Sequence, residues 1–425
     1  MVKALYIYNL FPKLYKNVNE WIKNLSHIKN MGFNAVYINP FHYPGFSGSI
    51  YAPKDYYEYN PNFFTNKKNP EEELRSFIEA CKEKDILPIM DLVVNHTSID
   101  SPLIKEHKNW YVLEKDGEVK RPGAWENGKF VTWGDLATFD LDNSPDRDNL
   151  WKYLLNMCFH YLKLGFRGFR CDAAYQVSHE FWQYLISNIK KEFSDVVFLA
   201  ETLSCTPVQI QSLSNCGFDY IFNSSKWWNF NDSWCLEQYN MTRTIAPSIS
   251  FPETHDTARL MEEVKENEIV FKQRLYFEAI FSKGFMITSG FEYGFKKKLN
   301  TVTTTPADWE NTGKDYSKII RKILDIKSKL LPLHEESPIY IVDQPNWMNV
   351  FCFIKEWDNV KVLIVLNKDV NNSQNVYLQD LEHILNGEKV IDYSPEERIS
   401  GYIKTLNINL KPGELKILVK EKDTI

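Results

Sequence analysis

Short apolar runs alternate with longer amphipathic stretches through the first three quarters of the chain. The runs ALYIYNL (4–10), AVYINP (35–40), ILPIMDLVV (86–94), GFRCD (168–172), VVFLAE (196–201), FDYIFN (218–223), ISFPE (249–253) and FMITSG (285–290) are rich in β-branched and aromatic residues and have strand length. Between most of them lie helical patterns, among them NEWIKNLSHIKNMG, PEEELRSFIEACKEK, RDNLWKYLLNMCFHYLKLG, HEFWQYLISNIKKEF and VFKQRLYFEAIFSKG. Several open on Pro or an acidic first turn and stop at Gly, as helix ends should. Eight strands alternating with helices predict a parallel sheet with crossover helices, and its most economical closure is a (β/α)8 TIM barrel.

Two segments fall outside that period. Residues 97–145 are rich in Trp, Gly, Asn and charge and too long for an ordinary βα loop, so they predict a small lobe inserted after the third strand. From 336 onward the helical period disappears. There PIYIVDQ, MNVFCFIKEW, VKVLIVLNK, SQNVYLQDL and ELKILVKE read as strands between Asn, Asp and Gly turns. The expected organisation is a catalytic barrel from 1–96 and 146–335, an inserted lobe over 97–145, and an antiparallel β-sandwich domain over 336–425.

Composition narrows the partners. Across 425 residues, 50 Lys and Arg against 56 Asp and Glu leave a net charge of −6, which speaks against nucleic acid or an anionic membrane surface and favours a neutral ligand. Aromatics are high at 15%. The N-terminus lacks a signal-peptide pattern and no run of 18 apolar residues occurs, so the expectation is a soluble cytoplasmic protein without a membrane partner. Seven scattered Cys without paired spacing are expected as reduced thiols rather than a disulfide frame or zinc site. Oligomeric state is left open.

Barrel enzymes carry their catalytic groups at the C-terminal ends of the strands. Here the third strand ends in DLVVNH (Asp91, Asn95, His96), the fourth in GFRCD (Arg170, Asp172), the fifth in FLAET (Glu201), and the seventh in PETHD (His255, Asp256). A single strand-end Asp is most often a turn or cap former, and a single His means less still. Several acidic groups sharing one partly dehydrated mouth repel at a cost that calls for a use. Two carboxyls of different charge state beside aromatics suit glycosyl transfer, in which one protonates the leaving oxygen and the other meets the oxocarbenium-like carbon. Arg170 and Asp172 are two apart on one strand, hence on one face, so the guanidinium can hold Asp172 as an anionic nucleophile. Glu201, one strand along, becomes the acid/base. Cys171 points the other way, which removes a catalytic thiol.

DLVVNH (91–96), GFRCDAA (168–174), FLAET (198–202) and PETHD (252–256), in that order on strands three, four, five and seven, resemble the four signature regions of the α-amylase family of glycosidases and transglycosidases, glycoside hydrolase family 13. The resemblance covers essentially the whole chain, including the inserted lobe and the terminal β domain. It implies a retaining enzyme acting on α-glucosidic bonds of an α-glucan or oligosaccharide, with no organic cofactor. Asp172 would be nucleophile, Glu201 acid/base and Asp256 the third carboxylate, while His96, Arg170 and His255 line the subsite of the ring being cleaved. SIYAPKDYYEYNPNF (49–63) resembles the loop after strand two, implying Tyr51 as a ring that stacks on sugar and Asp55 as the residue holding that loop; packing of the loop's tyrosines is the plainer account. LATFDLDN (136–143) resembles the stretch ending the inserted domain, where Asp140 takes the place of a calcium ligand. Asn95, Asp135 and Asp140 offer hard oxygen donors suited to structural calcium, but such residues also form turns.

Departures from the family pattern fall on the acceptor side. Tyr175 and Gln176 stand where many members have Lys-His, and Thr254 stands where Asn is usual. KWWNF (226–230) adds Trp227 or Trp228 as a sugar platform, whereas Trp110, Trp125 and Trp133 mark the lobe. Hydrolysis is the main expectation, and these positions do not separate it from transfer. The alternatives are a transglycosidase (a glucanotransferase, or a transferase using a sugar phosphate or sucrose) and, remotely, an inert glucan-binding or partner module.

Overall fold

The computed structural model describes residues 4–126, 129–203, 205–387, 389–396, 398–399 and 404–420, the side chains at 124–126 excepted. The side chain of Trp125 therefore lies outside the described residues.

All eight expected strands form: β1 (Tyr6–Leu10), β2 (Ala35–Ile38), β3 (Leu87–Leu92), β4 (Gly168–Cys171), β5 (Val197–Ala200), β6 (Tyr220–Phe222), β7 (Ser248–Ser250) and β8 (Gly284–Thr288). Each pairs in parallel with its sequence neighbours, and β1 pairs with β8, so the sheet closes into a barrel. Strand alternation sorts the side chains. Ile7, Tyr37, Ile89, Leu199, Ile249 and Met286 fill the inside. Tyr8, Val36, Met90, Phe169, Cys171 and Phe198 pack outward in the core shared with the helices. Arg170 lies between two outward residues and so points in. Parallel register sets it beside Asp91 on β3 and Leu199 on β5.

The helices form where amphipathic patterns predict them. Helix α1 (Val18–Asn30) is capped by Asn17, whose side chain accepts from the backbone of Asn19 and Glu20, and α2 (Pro70–Glu83) opens on Pro followed by three Glu. Helix α3 (Arg147–Leu164) ends at Gly165, whose φ of 122° lets the chain turn into β4. The inserted segment holds a hairpin (Gly123–Glu126 with Lys129–Thr132) and a strand pair, His96–Ser98 with Leu136–Thr138, that ties it to the end of β3.

The C-terminal region contains a five-stranded sheet in the order Ile339–Ile341, Val350–Trp357, Val360–Asn367, Leu415–Lys420, Val390–Asp392, and a separate pair, Gln374–Leu378 with Leu406–Leu410. One face of the larger sheet (Phe351, Phe353, Val362, Ile364, Ile417) joins the barrel core. Its other face packs Cys352, Leu363, Val365 and Leu418 against Val376, Leu378, Leu406 and Leu410 of the smaller pair. Two features differ from the sequence expectation. A short helix, Leu381–Leu385, interrupts the supposed all-strand stretch because Leu381 and Leu385 bury together, and the strands 390–392 and 406–410 are additional to those expected. Two buried lysines cap the end of helix α4 (Glu268–Phe281): Lys327 Nζ, from the barrel, donates to the carbonyls of Ala279 and Ser282, and Lys355 Nζ, from the C-terminal sheet, donates to that of Phe281 at 2.7 Å and so ties that sheet to the barrel.

A Cβ at position 165 would stand 2.7 Å from Ile78 Cγ2 in a left-handed backbone. Gly165→Ala is expected to cost about 2–3 kcal/mol, read as a lowered unfolding midpoint with native-like circular dichroism.

Candidate active site

Residues from three neighbouring strand ends meet around one guanidinium. Arg170, its side chain 4% exposed, donates from Nη1 to Asp91 Oδ1 at 3.0 Å and Oδ2 at 3.2 Å, and to Asp172 Oδ1 at 2.7 Å. Its Nη2 lies 3.9 Å from Glu201 Oε2. A planar guanidinium that reaches both carboxyls keeps Asp172 and Glu201 within about 9 Å, a limit that admits the ~5 Å spacing of nucleophile and acid/base pairs.

Glu201 takes a backbone N–H on each oxygen, from Ala173 at 2.9 Å and Leu203 at 2.5 Å. Ala173 adopts φ 41°, a left-handed conformation unusual for a residue with a Cβ, immediately after Asp172. That turn is what directs its N–H to the neighbouring strand's carboxylate. Burial pushes Glu201 up to about 7; Arg170 opposes the rise and Asp172 adds to it. Glu201 thus holds a proton up to near-neutral pH.

The aromatic and imidazole wall forms a hydrogen-bonded chain. Tyr51 and Tyr37 hydroxyls both donate to Asp91 Oδ2. Asn39 Nδ2 donates to the Tyr51 hydroxyl at 2.9 Å, and Asn9 Nδ2 to Asn39 Oδ1 at 2.8 Å. His255 Nε2 lies 2.8 Å from the Tyr51 hydroxyl and 3.1 Å from Asp256 Oδ2. The Tyr51 ring stacks on His255 at 5.3 Å, so one of its faces is occupied by protein and only the other is left for a sugar. His96 Nε2 donates to the Tyr51 carbonyl at 2.8 Å. Burial lowers the pKa of His96 and brings that of His255 down to about 3, leaving both neutral. Asp256, with half its side chain exposed, is the most open of the carboxylates.

Tyr175 sits on a short turn of helix, Ala174–Gln176, close enough to Glu201 and Asp172 that their charges add to the effect of burial in raising its phenol to about 12. Trp227, 47% exposed, stands over Phe251 at the top of the barrel, whereas Trp228 is buried against Phe277, Phe281 and Phe351, so of the two only Trp227 offers a surface. Trp110 is core of the lobe, its Nε1 donating to Asp146 at 2.7 Å.

One expectation needs correction. Asp55 does not hold the Tyr51 loop; it lies on the strand Pro53–Tyr59 and accepts from Tyr57 N at 2.8 Å, a local turn, while His96 and Asp91 do the holding. Of the oxygen donors considered for calcium, Asp140 Oδ1 accepts from Asn143 N at 2.9 Å and closes a turn, whereas Asn95 Oδ1 is buried without a hydrogen-bond partner among the described residues. Nor among these do three His, Cys, Asp or Glu side chains converge to hold a metal ion.

Sequence reasoning missed the supports. Glu253, just before Thr254, makes a fully buried pair with Arg259 at 2.6 Å and accepts from Leu260 N, and Arg259 also donates to the carbonyls of Ser289 and Lys297. This clamp fixes the loop carrying His255 and Asp256 against the loop after β8. Two charges inside one seven-residue stretch were the available signal.

Comparison with known proteins fits this geometry. The family model for the glucanotransferase domain of glycogen debranching enzyme matches residues 1–112. An α-1,4-glucan:maltose-1-phosphate maltosyltransferase of Picrophilus torridus is 23% identical over 88% of this chain, and α-amylase 2 of Dictyoglomus thermophilum is 21% identical over 98%. In sequence the chain is similar to α-amylases and maltosyltransferases, and its fold is that of solved α-amylases. It spans 62% of the length of that maltosyltransferase and 72% of that α-amylase. Among solved structures, a maltogenic α-amylase of Thermotoga neapolitana superposes with a TM-score of 0.79 at 22% identity, covering 99% of both chains. Among the described residues no helix is long and apolar enough to cross a membrane.

Two outcomes are expected from this site. Arg170→Met leaves the buried Asp91 without its cation and Asp172 without its partner, and should cost about 3–5 kcal/mol in thermal or urea unfolding. With Glu201 as the acid of a glycosidic cleavage, turnover of an α-glucoside should fall as pH rises through about 7, where Glu201 gives up its proton, and Glu201→Gln should abolish that limb of the pH profile along with most activity.

Proposed function

We propose that the protein cleaves α-glucosidic bonds in neutral oligosaccharides by double displacement, with retention at the anomeric carbon. The observation that carries this reading is the sharing of Arg170 between Asp172, bonded at 2.7 Å, and Glu201, left at 3.9 Å with its proton. Asp172 attacks the anomeric carbon while Glu201 protonates the departing glycosidic oxygen, so the C–O bond breaks as the Asp172 ester forms. Glu201, now a carboxylate, takes a proton from the incoming hydroxyl, which displaces Asp172 and restores the starting state. Asp256 and His255 bind ring hydroxyls, Tyr51 supplies its open face to the sugar, and Arg170 balances charge throughout. Seven free cysteines support a reducing compartment, the cytoplasm, for this reaction.

A second reading, transfer to a sugar acceptor, is favoured by the likeness to the maltosyltransferase and by the exposed Trp227, which can bear an acceptor ring on the side of β6. Both readings share the first half of the mechanism. Incubation with maltotetraose, followed by chromatography, separates them: glucose, maltose and maltotriose alone indicate hydrolysis, and products longer than the substrate indicate transfer. Asp172→Asn is expected to lower turnover by about a thousandfold or more with the fold intact. An inert wild type on every α-glucoside, with or without maltose-1-phosphate, would defeat both readings.

A further inference from the structure

Helix α4 carries a buried acid that catalysis does not use. Glu278 is fully enclosed, on a helix whose neighbouring positions Leu275, Phe277, Ala279 and Ile280 are buried as well. A carboxyl taken out of water there is costly unless it is paired or protonated. Its Oε2 is in hydrogen-bond contact with the Ser225 hydroxyl, and among the described residues its Oε1 has no hydrogen-bond partner. Ser225 Oγ is also 2.7 Å from Asn223 Oδ1. The orientation of that amide is fixed, because Oδ1 accepts the Ser225 backbone N–H at 3.1 Å while Nδ2 donates to Ser282 Oγ at 2.7 Å and Ser248 Oγ at 3.1 Å. A hydroxyl has one proton to give. Both contacts of Ser225 Oγ are hydrogen bonds only if Ser225 donates to the Asn223 oxygen and Glu278, as a carboxylic acid, donates to Ser225.

The charged and titratable groups facing Glu278 are Lys226, Arg274 and Cys235. Both cations are committed elsewhere: Lys226 Nζ lies 2.5 Å from Glu263 Oε2, and Arg274 Nη1 donates to the Trp228 carbonyl at 2.6 Å with its guanidinium 4.3 Å from the Phe230 ring centre. Burial keeps the Cys235 thiol protonated. Burial likewise pushes Glu278 up to about 8, against the bond to Ser225 and the charges of Arg274 and Lys226. Ser225 opens the short turn of helix Ser225–Trp227, which ends in the exposed ring beside the mouth. Glu278 therefore grips the first residue of that turn, and Arg274, one helical turn earlier on α4, grips the carbonyl of the residue that follows it. We propose that Glu278 is a positioning residue: held as a neutral acid, it fixes the Trp227 ring through Ser225 and so sets the affinity for the sugar on the leaving-group side of the bond. This rests on the proposed glycosidic cleavage, in which Trp227 bears the ring on the side of β6.

Two substrates test it. Maltotetraose leaves a sugar on that side of the bond cut, and α-glucosyl fluoride leaves only fluoride. Glu278→Ala should lower kcat/KM for maltotetraose about tenfold relative to kcat/KM for α-glucosyl fluoride, the size of one lost ring stack. Trp227→Ala should show the same relative loss, and the double variant no more than either, because the acid acts through the ring. Glu278→Gln keeps a neutral donor to Ser225. The wild-type kcat/KM for maltotetraose divided by that of Glu278→Gln should therefore fall as pH rises through about 8, a division that cancels the limb both proteins owe to Glu201. Equal loss on both substrates, additive losses, or a quotient constant with pH would overturn the proposal. If Glu278→Ala does not fold, the Gln quotient decides alone. A wild type inert on both substrates defeats the proposed cleavage instead, and urea unfolding then decides for Glu278. A proton held by the folded chain and not by the unfolded one makes wild type lose stability relative to Glu278→Gln as pH rises from the ordinary carboxyl range to about 8, and unfolding midpoints that stay parallel would overturn the proposal.

Discussion

Arg170 is the cation on which the site depends. Its side chain is buried in the barrel mouth with Asp91 on one side, Asp172 on another and Glu201 just beyond hydrogen-bond reach. Removing three carboxyls and a guanidinium from water is costly unless the charges are paired and the remaining lone pairs are filled. Asp91 recovers that cost through two bonds from Arg170 and one each from Tyr37 and Tyr51. Glu201 gets proximity without the bond, and burial then keeps its proton. One cation therefore bonds one of two neighbouring carboxyls and stops about an ångström short of bonding the other, the asymmetry on which the proposed roles rest.

The rest of the mouth keeps that geometry fixed. Tyr51 is bound through its hydroxyl to Asp91, through its ring to His255 and through its carbonyl to His96, so the ends of β3 and β7 converge on one residue. Ala173 in its left-handed turn ties β4 to Glu201, and Glu253 with Arg259 ties the β7 loop to the β8 loop. These contacts are buried or backbone-mediated and leave the reacting side chains little freedom to rearrange before substrate arrives.

Much of this was legible in sequence because barrels convert order along the chain into position around a mouth. Eight apolar runs and the polar residues ending them locate Asp172, Glu201, His255 and Asp256 without coordinates. What escaped were groups that act through others. Asn9 and Asn39 end β1 and β2 and follow the same strand-end rule, but an Asn after an apolar strand reads as a turn former. Asp55 was misplaced because the hairpin register of 42–44 with 53–59 turns it toward Tyr57, a property of pairing that no local pattern encodes. Strand 406–410 was overlooked because its exposed positions are Asn rather than ordinary strand formers.

The central claim is that aspartate 172 becomes covalently bonded to the sugar. The direct measurement is intact-protein and peptide mass spectrometry after treatment with a fluorinated α-glucosyl fluoride, which forms the ester quickly and releases it slowly. The account predicts one added glycosyl residue, located on the peptide containing Asp172 and absent in Asp172→Asn. An adduct on Glu201 or Asp256, or turnover of α-glucosides with inversion and no adduct at any residue, would contradict it.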